Sequence, residues 1–159
     1  MDTAQLEWML FRHPTTKLKF GGVLAIDELP LRPKNTAYII NLDPSTSPGS
    51  HWVAVYFEKG NAEYFDSYGL PPPEPILNFI KANSYQFTCN SQQLQHVRTA
   101  VCGQYCAYYV LKKCANQKMS KILLPFSNVN FISNDKLVFK FIKKLIRVHL
   151  PLINPMLEL

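Results

Sequence analysis

His51, Asp66 and Cys102 are the residues of this 159-residue sequence whose types and spacing suit nucleophilic chemistry. His51 opens the apolar run HWVAVYF directly after a Pro-Gly-Ser loop, and Asp66 interrupts the aromatic run of AEYFDSY. The two runs read as a hairpin turning at Gly60-Asn61, which brings His51 and Asp66 out near the same end on neighbouring strands. A carboxylate beside an imidazole fixes its tautomer and stabilises its protonated form. Cys102 is the first residue of CGQYCAYYVLKKC, a segment apolar nearly all round, as a central buried helix is. At a helix start the backbone N–H groups and the helix dipole favour a thiolate. With a histidine beside it to hold the proton, that thiolate is an activated nucleophile. Cys106, one turn deeper among Ala107, Tyr108 and Tyr109, reads as an ordinary buried thiol. Gly103 leaves room for a substrate backbone. An attacked carbonyl also needs donors aimed at its developing negative charge. The Cys102 N–H is one, and the preceding loop offers Gln92, Gln93 or Gln95 as the other.

Around these groups the pattern predicts a first helix capped by Asp2 or Thr3, with Leu6, Met9, Leu10 and Phe11 inward and Pro14 ending it. Gly21 and Gly22 mark a turn before a short strand, Val23 to Ile26, and Thr36 to Leu42 is a second strand. After the hairpin, GLPPPEP, Gly69 to Pro75, is expected to hold no regular structure, because three consecutive prolines lack backbone donors. Ile76, Leu77, Phe79 and Ile80 recur at helical spacing, SYQFTC is a strand, and NSQQLQHVRTA is a polar, exposed loop. The last helix, capped by Asn134 or Asp135, carries Leu137, Val138, Phe141, Ile142 and Leu145 on one side. Its other side bears Lys136, Lys140, Lys143, Lys144 and Arg147. Helix, strands, helix, strand, helices is the order of one α+β domain, 1–159, with the central helix packed on a mixed sheet.

Apolar residues are 47% of the chain and aromatics 13%, which excludes a disordered tail. No apolar stretch reaches the roughly 20 residues of a membrane span, and Met1 to Leu10 lacks a basic leader, so a soluble, non-secreted chain without membrane partners is expected. The formal charge of +6 suits an acidic partner. Cys102, Cys106 and Cys114 share a helix face without a histidine at finger spacing, so no metal site is expected; with Cys89 they read as reduced thiols.

SHW, then YFDSYG, then a glutamine ahead of VCGQYC resembles the adenain group of cysteine proteases. That group comprises the adenovirus maturation protease, its virophage and Maverick/Polinton relatives and, more distantly in clan CE, the SUMO-deconjugating proteases. The likeness runs from about Val23 to Val148. It implies His51 as general base, Asp66 as orienting acid, Cys102 as nucleophile and Gln95, seven residues earlier, as oxyanion donor. Trp52 is then the flanking aromatic that, with Gly103, borders the substrate. It further implies a papain-like fold, no cofactor for the chemistry itself, and activation by DNA or a viral peptide. The substrates would be capsid or core precursors cut after glycine, in virions and in the nucleus or cytoplasm of an infected cell. Cys89 stands closer to Cys102 than the cysteine through which adenain tethers its peptide, so tethering does not carry over. By the same implication the basic face Lys136, Lys140, Lys143, Lys144 and Arg147 binds DNA. A SUMO or ubiquitin isopeptidase would share the triad but need a broad docking face; a related acetyltransferase would need an acyl-coenzyme A site. A non-enzymatic DNA-binding module explains the charge and not the triad order.

Overall fold

A computed structural model describes residues 1–149. Five strands form one sheet in chain order: β1 (Phe20–Ala25), β2 (Ala37–Asn41), β3 (Trp52–Glu58), β4 (Asn61–Phe65) and β5 (Gln86–Cys89). The β2/β3 and β3/β4 pairs are antiparallel, whereas β1/β2 and β4/β5 are parallel, so the sheet is mixed. The helices are α1 (Thr3–Arg12), α2 (Glu74–Asn83), α3 (Cys102–Cys114), α4 (Met119–Leu123) and α5 (Phe131–His149). This is the α+β architecture expected from the sequence. Among the described residues no helix is long and apolar enough to cross a membrane.

Side chains alternate across the strands, so the sheet has two apolar faces. On one, Ile39, Ala54, Tyr56 and Phe65 pack against α1 and α3; on the other, Tyr38, Ile40, Val53, Val55 and Tyr64 pack against Ile76 and Ile80 of α2. Helix α3 is buried along nearly its whole length, and its Tyr109 ring lies flat on Phe65 at 4.6 Å between centroids. Packed between the sheet and α5, α3 is held on both sides, which gives its first residue a fixed position over the sheet.

Several local expectations shift. Asp2 does cap α1 through a reciprocal box with Gln5, but Phe11 is 42% exposed and lies at the edge of the core beside Phe20. Gly21 and Gly22 lie inside β1, at a slip in its register, because a Cβ on Gly21 would collide with the Tyr38 ring. The hairpin turns at Lys59-Gly60, where both residues have positive φ and Glu58 pairs with Asn61. Helix α5 begins at Phe131, one turn before the expected caps, with Asn130 Oδ1 accepting the Ser133 N–H at 3.0 Å. Asn134 therefore ends the first turn and Asp135 begins the second, and both are buried. The segment after β5, expected to be exposed, buries Asn90, Leu94 and Gln95. Its polar groups find partners inside the protein: Leu94 and Gln95 donate their N–H groups to Ser67 O at 2.8 and 3.0 Å.

Candidate active site

His51 lies just before β3 and Asp66 just after β4, so the strand pair carries both to one end of the sheet. There the His51 Nε2–H donates to Asp66 Oδ1 at 2.6 Å. Asp66 is almost wholly buried and accepts two further bonds, from the Tyr68 N–H at 3.0 Å and the Leu70 N–H at 3.2 Å. The chain can turn back so tightly because Gly69 has φ +70 and a Cβ there would strike the Gln92 backbone. Since Asp66 occupies Nε2, Nδ1 is the ring nitrogen left to interact with Cys102, whose charge is coupled to that of His51.

The electrostatics follow from that chain of contacts. Burial opposes charge on His51, but the hydrogen bonds to Asp66 and Cys102 and their charges outweigh it and push its pKa up to about 9. Burial likewise opposes a Cys102 thiolate. The His51 hydrogen bond, the N–H groups of Trp52 and Gly103 and the imidazolium charge overcome that and hold the thiol below its ordinary range. Both shifts favour a thiolate–imidazolium pair. Cys106 differs in each respect: it is fully buried, burial pushes its thiol far up, and its Sγ–H donates to Trp52 O at 3.2 Å. Such a thiol holds β3 to α3 and stays neutral.

Gln95 is completely buried and fixed at both ends. Its Oε1 accepts from Ser67 Oγ at 2.7 Å and its Nε2 donates to Thr99 O at 2.6 Å, which uses one of the two hydrogens on that nitrogen. Gln93 instead turns back on the Gln95 carbonyl. Gly103 does not offer open space: a Cβ there would stand 3.0 Å from Trp52 Cε3, so the glycine makes room for the indole rather than for substrate. Trp52 is half-buried on that glycine, and its Nε1–H has no partner among the described residues. Lys136, Lys140, Lys143, Lys144 and Arg147 all face solvent on α5, and the last four line a shallow groove of about 460 Å³ with Val148. Among the described residues no three metal-ligating side chains converge.

Sequence patterns did not single out three supporting residues. Tyr68 stacks its ring on His51 at 4.8 Å between centroids. Ser67, next to Asp66, ties the acid's loop to Gln95. Asn90 accepts the Asp66 N–H on Oδ1 at 2.9 Å and donates Nδ2–H to the Asp66 carbonyl at 2.6 Å. The β4/β5 ladder ends at Tyr64 and Cys89, and the Asn90 side chain extends it to Asp66 in place of backbone. Only the position of Ser67 and Tyr68 inside YFDSYG hinted at such roles.

No family profile matches the chain. A cysteine protease of African swine fever virus is 31% identical over 134 residues, spanning 74% of this chain and 46% of that protein. A homologue from another isolate, named a SUMO-1 cysteine protease, is 30% identical over the same shares. The chain thus spans about half the length of the curated relatives it matches. The crystal structure of the swine fever virus protease has the same fold, with a TM-score of 0.61 at 19% identity, covering 88% of this chain and 64% of that one.

Proposed function

The chain belongs to the adenain-like cysteine proteases of clan CE, and from that kinship we propose that it hydrolyses peptide bonds after glycine in precursor proteins of a virus or virus-like element. The observation that carries this reading is the 2.6 Å hydrogen bond from His51 to the buried Asp66, with His51 and Cys102 coupled so that each favours the other's charged form, imidazolium and thiolate. Cys102 Sγ attacks the carbonyl carbon, and the developing oxyanion takes hydrogen bonds from the Cys102 N–H and the second Gln95 amide hydrogen. His51 gives its proton to the departing amine as the tetrahedral intermediate collapses to a thioester. Neutral His51 then takes a proton from water, whose oxygen attacks the thioester; collapse expels the Cys102 thiolate, which restores the pair with imidazolium His51, and the acid leaves and gives its proton to solvent. Every group needed is a side chain or backbone amide, so no cofactor enters the chemistry.

Glycine after which to cut is the part that rests on the family resemblance, as does the precursor substrate. A second reading, removal of a SUMO-like modifier, is favoured by the name of one relative. Both use the same triad, so the substrate must be separated by experiment. A vinyl-sulfone peptide ending in Gly-Gly, a ubiquitin-family vinyl-sulfone probe and acetyl-coenzyme A are offered to the native chain and to Cys102→Ala. The proposal expects labelling by the peptide, at Cys102 alone. Reaction with the folded modifier and not with the peptide would shift the function to the second reading, and transfer of acetyl with no labelling would refute both.

A further inference from the structure

Near its N-terminus, at the start of its second turn, α5 holds a buried carboxylate that the proposed chemistry does not use. Asp135 Oδ2 faces the Thr99 hydroxyl at 2.9 Å, and its Oδ1 faces the Tyr105 hydroxyl at 2.9 Å and the His96 N–H at 3.4 Å. All three neighbours are donors to the carboxylate, which shares the single hydroxyl protons of Thr99 and Tyr105 with His96 O at 2.8 Å and Leu94 O at 3.1 Å. Thr99 and His96 belong to the loop before α3, and Tyr105 belongs to α3 itself. Beside it, Asn134 Nδ2 donates to Leu94 O at 3.0 Å, while its Oδ1 accepts the Ser127 N–H at 2.8 Å. Gln95 lies between these anchors, with Leu94 and His96 as its chain neighbours and Thr99 O holding its Nε2 at 2.6 Å.

We propose that Asp135 is a positioning residue for the oxyanion donor: by holding Thr99 it holds the carbonyl that aims the Gln95 carboxamide. This rests on the reading of Gln95 as that donor. The loop from Asn90 to Val101 contains no helix or strand; Ser67 O holds its backbone at Leu94 and Gln95 and a turn joins Thr99 N–H to His96 O, so the aim of the Gln95 side chain rests on the groups at its two ends. Ser67 fixes the carboxamide oxygen from the sheet side, and Asp135 fixes the nitrogen side from α5. With one clamp gone, the carboxamide can pivot about the other. A donor displaced by about 1 Å costs on the order of 100-fold in rate although ground-state binding is hardly touched. The nucleophile and base are held by other contacts, to Asp66, Tyr68 and Trp52, and stay in place.

Asp135→Ala, Thr99→Val and Gln95→Ala are compared with the native chain on a fluorogenic Gly-Gly peptide, with iodoacetamide and with a Gly-Gly peptide aldehyde. The aldehyde forms a hemithioacetal whose oxygen needs the oxyanion donors; alkylation does not. Asp135→Ala and Thr99→Val should each lower kcat roughly 10- to 100-fold, leave KM and the alkylation rate of Cys102 within about twofold, and weaken the aldehyde in step with the lost turnover. The double variant should be little worse than Asp135→Ala alone, because the two act in one chain of contacts. Should Asp135→Ala fail to fold, Thr99→Val carries the test, since it exchanges a hydroxyl for a methyl of similar size. Normal turnover in Thr99→Val where Gln95→Ala is slow would overturn this inference and spare the oxyanion assignment. Normal turnover in Gln95→Ala would overturn both. Alkylation falling in step with kcat would mean that the whole site had shifted, and Asp135 would be structural only.

Discussion

Replacing Asp66 with asparagine removes a charge at nearly constant volume, and the consequences can be worked from the site. His51 is raised from an ordinary 6.5 to about 9; burial, the largest influence, opposes the rise, and Asp66 and Cys102 drive it. The His51 side chain is only 13% exposed, so solvent screens these contacts little. At about 1.36 kcal/mol per tenfold change, the rise amounts to roughly 3 kcal/mol in favour of the imidazolium. Because Asp66 and Cys102 share the drive, loss of the Asp66 charge removes roughly 1.5 to 3 kcal/mol, or roughly 10- to 150-fold in the fraction of active pair. In the native chain kcat/KM should climb with pH as Cys102 loses its proton, at a pH below the ordinary thiol range. It should fall as His51 loses its own near 9. In Asp66→Asn burial is opposed by Cys102 alone, so the falling limb moves down; Cys102, with less imidazolium beside it, moves up. The two limbs approach each other and the maximum shrinks. Measuring kcat/KM on a Gly-Gly peptide and the iodoacetamide rate from about pH 5 to 10 reads both limbs, the second without any substrate recognition. A falling limb that stays near 9 in Asp66→Asn at native rate would refute the assignment of Asp66 as the group that charges His51.

Brief iodoacetamide treatment near neutral pH should modify Cys102 and leave Cys106 untouched, as mass spectrometry of the digested chain would reveal; the reverse pattern would exchange their roles. Asn90→Ala leaves the buried N–H and carbonyl of Asp66 without their partner. At about 1 to 3 kcal/mol per orphaned group, partly relieved by relaxation, it should cost about 2 to 4 kcal/mol and lower Tm by roughly 5 to 15 °C. A Tm within about 2 °C of native in a calorimetric scan would mean that another group had replaced the side chain. The exposed lysines of α5 should bind duplex DNA without sequence preference, with log K falling by about 0.9 per log salt for each phosphate neutralised. Fluorescence anisotropy at two salt concentrations on the native chain and a Lys140, Lys143, Lys144→Glu variant checks it, and equal affinities would leave the stripe as ordinary solvated surface.

What could be read from residue order divides along a physical line. His51 and Asp66 stand out because each breaks an apolar strand pattern, and a broken pattern is visible without knowing what lies nearby. Cys102–Cys114 is legible for the same reason: residues apolar all round have nowhere to go but the centre, and α3 has the expected bounds. The turn at Lys59-Gly60 was missed by one residue because Lys59 adopts positive φ, which composition assigns to glycine and asparagine first. Gly103 was misread because what fills its space is Trp52, 51 positions away in the chain. The larger miss is the loop from Asn90 to Val101. Its glutamines and asparagine look like solvated residues, and burying them costs several kcal/mol each unless every polar atom finds a partner. Besides the local acceptors Gln95 O and Thr99 O, the partners come from Ser67, Asp66 and Asn134, from 24 to 40 positions away, and no local pattern registers those. The residues proposed to react thus announce themselves as exceptions, whereas those proposed to aim them are polar residues in polar segments. Their burial is a property of the pairings alone, which is why changes in this loop and near the N-terminus of α5 should reach turnover without touching Cys102, His51 or Asp66.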